Sequence, residues 1–496
     1  MKRLNKHILF GAGLVSVLAL GTSCKKELDI NTNPRYPTLD QGTPQVVFPV
    51  GVLATTAKVG GDLAIVGGMW SQFFTQAPLS QQYTNIDSYN LPNTDNFVND
   101  SWDVMYSSGL KNYQFVIDKA DSTGNWKYYL MGTVMKAYTA EVLVDLYDKI
   151  PYTQALTGLN NLTPAFDDGY TVYQKLLASI DTALGKDFTA NTNPDVTAAQ
   201  DPIFGGDIDS WIAFANTLKL KMYLRMTNAH PDVAQAGIQK MMNDGVTFLD
   251  QDAAFTNFSN GAGQENPLYE QNIKQLNTAT NIAGSATFIL WLQDNSDPRI
   301  SYFFGGAGVT GVNQGDYRGT YASPPTLVET PTDPVEFISK AESYFLQAEA
   351  DVRYNGGGNA KALYDQGVMA AFAATGEDAS SFVGAGGVYE WGNEVEGGQT
   401  LTAMQQIARQ KWASCAYGCH GIESFFESTR TGFPQKSTVY STSSSYVPGQ
   451  LVVAKNSVLT NNQMPKRMPY PYDETSRNSN APQTVVPIGT AVWWGK

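Results

Sequence analysis

The sequence predicts a mainly α-helical fold in which antiparallel helix pairs form a scaffold carrying long irregular loops and a few short strands. Three observations carry that expectation. Apolar residues recur at steps of three and four through several segments, glycine-containing turns separate segments of similar length, and the stretches between them are rich in Gly, Asn, Ser, Thr and Pro. Of 496 residues, 42% are hydrophobic and only 16% charged, too apolar for a disordered chain and enough for a large core. The net charge of −13 argues against nucleic acid, because phosphate binding needs clustered cations.

Residues 1–23 read as an export leader. Lys2, Arg3 and Lys6 precede an apolar run from Ile8 to Leu20 that is too short to cross a hydrocarbon core of ~30 Å. The small residues before Cys24 resemble a bacterial lipobox, in which Cys24 becomes the acylated N-terminus. Gly21 stands where such motifs usually carry Leu, Val or Ile, and cleavage after Ala19-Leu20-Gly21 would instead leave Cys24 a free thiol. Acyl chains contribute ~0.8 kcal/mol per buried CH₂, so lipidation anchors a chain durably to a membrane surface. No later segment approaches the ~18 apolar residues of a spanning helix, which makes the body soluble.

Residues 24–44 form a polar tether containing Asn31-Thr32-Asn33-Pro34, and 45–496 one helical domain with loop-rich insertions at about 250–335 and 376–496. Within it, 102–119 and 126–148 form a helix pair separated by Asp121-Ser122-Thr123-Gly124, and further helices are expected at 171–184 and 209–228. Trp211, Phe214, Leu218, Met222 and Met226 make one apolar stripe, leaving Lys219, Lys221 and Arg225 to reach solvent. A second pair spans 336–353 and 358–374. Its stripe is Ile338, Ala341, Phe345, Ala348 and Val352, and its turn Gly356-Gly357-Gly358. Pairs of this size resemble tetratricopeptide-like units, which stack because one pair cannot cover its own apolar face.

Motifs for catalysis are scarce. Gly306-Ala307-Gly308-Val309-Thr310-Gly311 has dinucleotide spacing, but Val312-Asn313-Gln314-Gly315-Asp316 follows it as loop rather than helix. The mature chain holds only His230, expected to cap a helix C-terminus, and His420. Cys415, Cys419 and His420 supply three metal ligands where structural zinc needs four. A Cys415–Cys419 disulfide would strain a helix, whose i,i+4 β-carbons lie ~5–6 Å apart against the ~3.5–4.5 Å a bridge needs; buried free thiols are the simplest state. Some pair of acidic residues could be close enough in space for glycoside hydrolysis, which spacing cannot test.

The loops at 188–207, 250–285, 301–335, 376–400 and 432–496 exceed the ~15 residues above which loops tend to be functional or disordered, and they carry aromatics. Tyr83 and Tyr89 flank Asn85 and Asp87, Trp102 follows, then Tyr302 to Phe304, Tyr317 and Tyr321 around Arg318, and Tyr389 and Trp391. An aromatic face packs on the axial C–H surface of a sugar while Asn, Asp and Gln bind its hydroxyls; peptide side chains suit the same mix. The candidate ligand residues are Tyr83, Tyr89, Trp102, Tyr302, Tyr317 and Tyr321. The alternative for each ring is that it pins its loop to the core.

A set of segments in order along the chain resembles the SusD/RagB family of nutrient-binding outer-membrane lipoproteins. They are Leu28 to Pro34, Met69-Trp70-Ser71-Gln72-Phe73-Phe74, Pro151-Tyr152-Thr153-Gln154-Ala155-Leu156, Asp201 to Asp207, Asp297-Pro298-Arg299, Glu342 to Ala350, Arg430-Thr431-Gly432-Phe433-Pro434, and Pro465 to Pro471 with Glu474 and Asn478. Trp70, Phe73 and Phe345 are expected in the core, and Arg299, Arg430 and Arg467 as partners of carbonyls or carboxylates. The resemblance implies a tetratricopeptide-like scaffold that is not an enzyme and uses no cofactor. It implies a lipid-anchored surface lid on a SusC-like TonB-dependent transporter, capturing oligosaccharide or peptide for import. Ligand residues vary across the family, so none transfers by motif.

Overall fold

The structure is a computed structural model that describes residues 42–495; the leader 1–23, Cys24 and nearly all of the tether lie outside the described residues. The first helix runs unbroken through α1 (Pro44–Ala57), a π turn at Lys58–Asp62, and α2 (Leu63–Trp70). It is long and apolar enough to cross a membrane, contrary to the expectation that no such segment exists, yet 72% of its apolar window is buried within the protein. It is a core helix. Its close packing depends on glycine, since a β-carbon on Gly67 would sit 2.2 Å from the backbone N of Ile422.

Next come α3 (Thr84–Asp87) and α4 (Asn96–Val104), which Asp95 caps by accepting from Phe97 N; a π turn at Met105–Leu110 joins α4 to α5 (Lys111–Thr123). Gly124 ends α5 with φ +68, as the turn sequence required, and α6 (Trp126–Tyr147) packs back on it. Tyr113, Val116 and Ala120 of α5 are buried, while nearly all of α6 is, because α7 (Gly169–Leu184) and α8 (Ile208–Arg225) cover its other faces. A further helix, α9 (Pro231–Asp244), follows at once. His230 therefore precedes α9 rather than capping α8 with its side chain, and its ring stacks on Tyr170 at 3.6 Å.

Strand β1 (Phe74–Gln76) is followed by β2 (Ala253–Phe255), β3 (Ile282–Gly284) and β4 (Val335–Ile338), and the antiparallel pairs are β1 with β3 and β2 with β4. Between β3 and β4 lie α10 (Ala286–Asp294) and α11 (Arg299–Phe304), so Tyr302 is helical and not in a loop. The second helix pair is α12 (Lys340–Tyr354) and α13 (Ala360–Ala373). It starts later than periodicity suggested because Ser339 accepts from Glu342 N, which fixes the N-terminus and leaves Ile338 in β4. Finally α14 (Ala403–Ser414), with a Thr402/Gln405 capping box, and α15 (Gly421–Thr431) close the core against α12 and α2.

One stripe assignment is corrected. Lys219 stays near the surface beside Asp181, but Lys221 and Arg225, which the apolar stripe left free to reach solvent, are 2% and 1% exposed. Arg225 donates from Nε to Asp145 at 3.1 Å, from Nη2 to both Glu423 oxygens at 2.9 and 2.8 Å, and from Nη1 to Glu427. Lys221 lies 3.0 Å from Glu141, Lys411 3.0 Å from Glu423, and Arg430 joins Glu349 to Glu427. This buried network ties α6, α8, α12, α14 and α15 together, since an unpaired charge there would cost several kcal/mol. His420 belongs to its edge, with Nε2 2.7 Å from Glu342. Arg299 grips Asp297, and Arg467 donates to the Tyr147 carbonyl, as expected of both. Cys415 and Cys419 are free thiols, and no metal-ligand cluster occurs among the described residues.

Candidate ligand-binding site

Three chain segments converge beside the β1–β3 ribbon. Thr75 pairs with Ala283, and Gln76 with Ile282. The loop 312–326 lies along the other side of β3: Gly284 N donates to the Pro325 carbonyl at 2.8 Å, and Val312 N to the Gly284 carbonyl at 2.9 Å. Beneath them, Asp87 at the end of α3 is fully buried and accepts from Thr75 Oγ1 at 2.8 Å, Gln76 N at 3.2 Å and Gln314 Nε2 at 2.7 Å. Burial pushes its pKa up to about 7, against the pull of those same hydrogen bonds. One carboxylate thus fixes the ribbon, α3 and the 312–326 loop in register.

Above this floor opens a cavity of about 450 Å³. Ala77, Pro78, Leu79, Ile282, Tyr321 and Pro324 give it apolar walls, Ser80, Thr280, Thr320 and Thr326 supply hydroxyls, and none of the described residues lining it is charged. The Tyr321 hydroxyl is already committed. It accepts from Asn313 N at 3.1 Å and Asn313 Nδ2 at 2.9 Å and donates to Asp316 at 3.1 Å, so what Tyr321 offers the cavity is its ring. Leu79 is 99% exposed with φ +69, a left-handed conformation that costs a leucine roughly 1–2 kcal/mol. Leu79 therefore stands on the cavity rim with its side chain in solvent and adds nothing to the core.

The six sequence candidates separate sharply. Tyr321 lines the cavity, and Tyr317 is half-buried in the same loop with the Arg318 guanidinium 5.6 Å from its ring. Tyr302 is also half-buried but lies elsewhere, 5.7 Å from the Tyr417 ring. Tyr83, Tyr89 and Trp102 are corrected to core positions, at 1%, 1% and 3% exposure. Tyr83 meets the Phe97 ring edge-on, Tyr89 Oη accepts from Ala454 N at 3.3 Å, and Trp102 packs between Tyr106, Tyr147 and Phe166. For Tyr83 and Tyr89 the loop-pinning alternative holds, while Trp102 is a core residue of α4. Tyr389 is buried as well, donating to Asp297 at 2.8 Å. Leu79, Ser80, Thr280 and Thr320 are not legible as site residues in the sequence, because small hydroxyl residues and a lone leucine in loops carry no signal of their own. The glycine run at 306–311 follows α11 and precedes no helix, which removes the dinucleotide reading.

Helix pairs on a tetratricopeptide-like plan, with a small cavity built by loops at one ribbon, define a helical scaffold with a loop-borne pocket. The family model described as SusD-like, starch-binding and associating with the outer membrane, matches residues 65–471, and the chain belongs to that SusD/RagB family. A SusD homolog from Bacteroides uniformis superimposes with TM-score 0.74 at 21% identity, over 91% of this chain and 99% of its own. A chitin-binding protein gives 0.73 at 20% identity, over 92% and 100%, and a chitin-binding SusD homolog from Flavobacterium johnsoniae 0.67 at 22%, over 91% and 96%. No curated protein matches the sequence.

Proposed function

We propose that this protein captures a neutral oligosaccharide in the cavity beside the β1–β3 ribbon and passes it, uncleaved, to a SusC-like TonB-dependent transporter in the outer membrane, to which acylated Cys24 anchors it. The carrying observation is the lining itself: apolar faces from Leu79, Tyr321 and Pro324, hydroxyls at Ser80, Thr280 and Thr320, and no charge. A sugar ring presents C–H faces and hydroxyls together and needs no counter-ion. An acidic glycan would bury its charge unpaired there, and a short peptide would bring two charged termini with no partner. No carboxylate lines the cavity, which supports capture without hydrolysis. Enclosure against a second protein would strip the remaining water from a modestly bound ligand, and reopening would release it.

Titration calorimetry on the mature chain tests this with malto-oligosaccharides, N-acetylated chito-oligosaccharides, oligogalacturonates and mixed tripeptides. A neutral series is expected to bind, and Tyr321→Ala to weaken it by about 1 kcal/mol or more. Binding of peptides alone would transfer the site to the peptide-binding reading, and glycan turnover would end the non-enzymatic one.

A further inference from the structure

The turn Thr278–Thr280 is an exposed ridge with a cavity on each side. Thr280 lines the 450 Å³ cavity described above, and Thr278 lines a second one of about 360 Å³ with Asn260, Glu265, Tyr269, Lys274 and Asn277. The hydroxyls of Thr278 and Thr280 are 2.9 Å apart at the surface, and Thr280 N donates to Thr278 Oγ1 at 3.3 Å, which holds the ridge in shape. Thr278 and Thr280 are only two Cα–Cα steps of ~3.8 Å apart along the chain, so the two cavities share one short rim.

The second cavity is more polar than the first and its lining includes one acid and one base. Its one acid and one base neutralise each other, because Lys274 pairs with Glu265, whose side chain is only 1% exposed. What is left for a ligand is the Tyr269 ring, the two exposed amides Asn260 and Asn277, and the Thr278 hydroxyl. Rings and neutral hydrogen-bonding groups again suit a neutral sugar better than an ion.

We infer that this second cavity is a further sugar subsite, and that the protein selects oligosaccharides long enough to cross the threonine ridge. The inference rests on the glycan reading of the first cavity. A chain held in the first cavity presents its next residues to the second at high effective concentration, so a weak second site adds affinity without acting alone.

Calorimetry with malto-oligosaccharides and N-acetylated chito-oligosaccharides of increasing length reads the effect. Affinity is expected to rise with length and then level off once both cavities are filled. The double variant Asn260→Ala/Asn277→Gly removes two exposed amides; glycine tolerates the left-handed backbone of Asn277, φ +51. It is expected to cut the gain from short to long members on the order of tenfold. Tyr321→Ala, by contrast, is expected to weaken every length. Affinity that is flat with length, or a length gain that the double variant leaves whole, overturns the second subsite while leaving the first. Failure of both series at every length overturns the glycan reading and this inference with it.

Discussion

Replacing Arg225 by Met removes the centre of the buried charge network and keeps an unbranched apolar stem. The loss is large because Asp145, Glu423 and Glu427 would each lose a hydrogen-bonded cation in a region closed to water. Breaking a buried pair costs ~3–5 kcal/mol. With an unfolding entropy of ~2.1 cal/mol/K per residue, a domain of this size loses about 1 °C in Tm per kcal/mol, so a fall of about 3–5 °C is expected by scanning calorimetry. Lys219→Met, six residues earlier on α8, removes a pair whose Asp181 side chain is 56% exposed; its cost is under ~1 kcal/mol. The pH dependence adds a second check. Burial works against ionisation of Glu423, but Arg225, Lys221 and Lys411 outweigh it and hold the carboxyl well below its ordinary range. A depressed carboxylate contributes stability above its unfolded pKa and loses it as pH falls through the folded value. The gap between wild type and Arg225→Met therefore narrows toward acid. Equal Tm losses for the two variants, or a gap independent of pH, would refute the network's role.

Other expectations are narrower. Burial raises the pKa of Asp87 and Glu394 to about 7 and that of Glu329 to about 8, so the stability they allow is complete below ~4 and is lost as pH rises through 7 to 8; their contribution to Tm should fall between about pH 4 and 8 and level off above, and a flat profile across that window would exclude these protonations. Leu79→Gly relieves left-handed backbone on the cavity rim, so it should leave Tm unchanged or higher while weakening glycan binding; a fall in Tm with intact binding would make Leu79 structural. Cys24→Ala should release a folded protein from the membrane fraction, and persistence there would show another anchor. Thiol labelling of the native chain should be slow at both Cys415 and Cys419, because burial raises both thiols; rapid modification of Cys415 would contradict its position in the core.

Much of the helical plan was legible in the residues because periodicity and capping are local. The turn at Gly124, the stripe from Trp211 to Met226 and the pair around Gly356–Gly358 needed no tertiary information. The helix at 44–70 was less legible because it has almost no polar face, whereas the polar residues of the helices at 403–414 and 421–431 are themselves buried, so they do not mark a solvent side. Burial of charge and of rings was decided only by packing. Lys219 and Arg225 sit on the same helix with the same sequence logic, yet one meets water and the other the carboxylates of α6 and α15. Tyr83 and Tyr321 sit in similar polar loops, yet Asp87 and the β1–β3 ribbon draw the first inward and leave the face of the second on a cavity. Composition and spacing fix which side chains can cross into a core or bind a sugar; which of them do so depends on contacts between residues hundreds of positions apart.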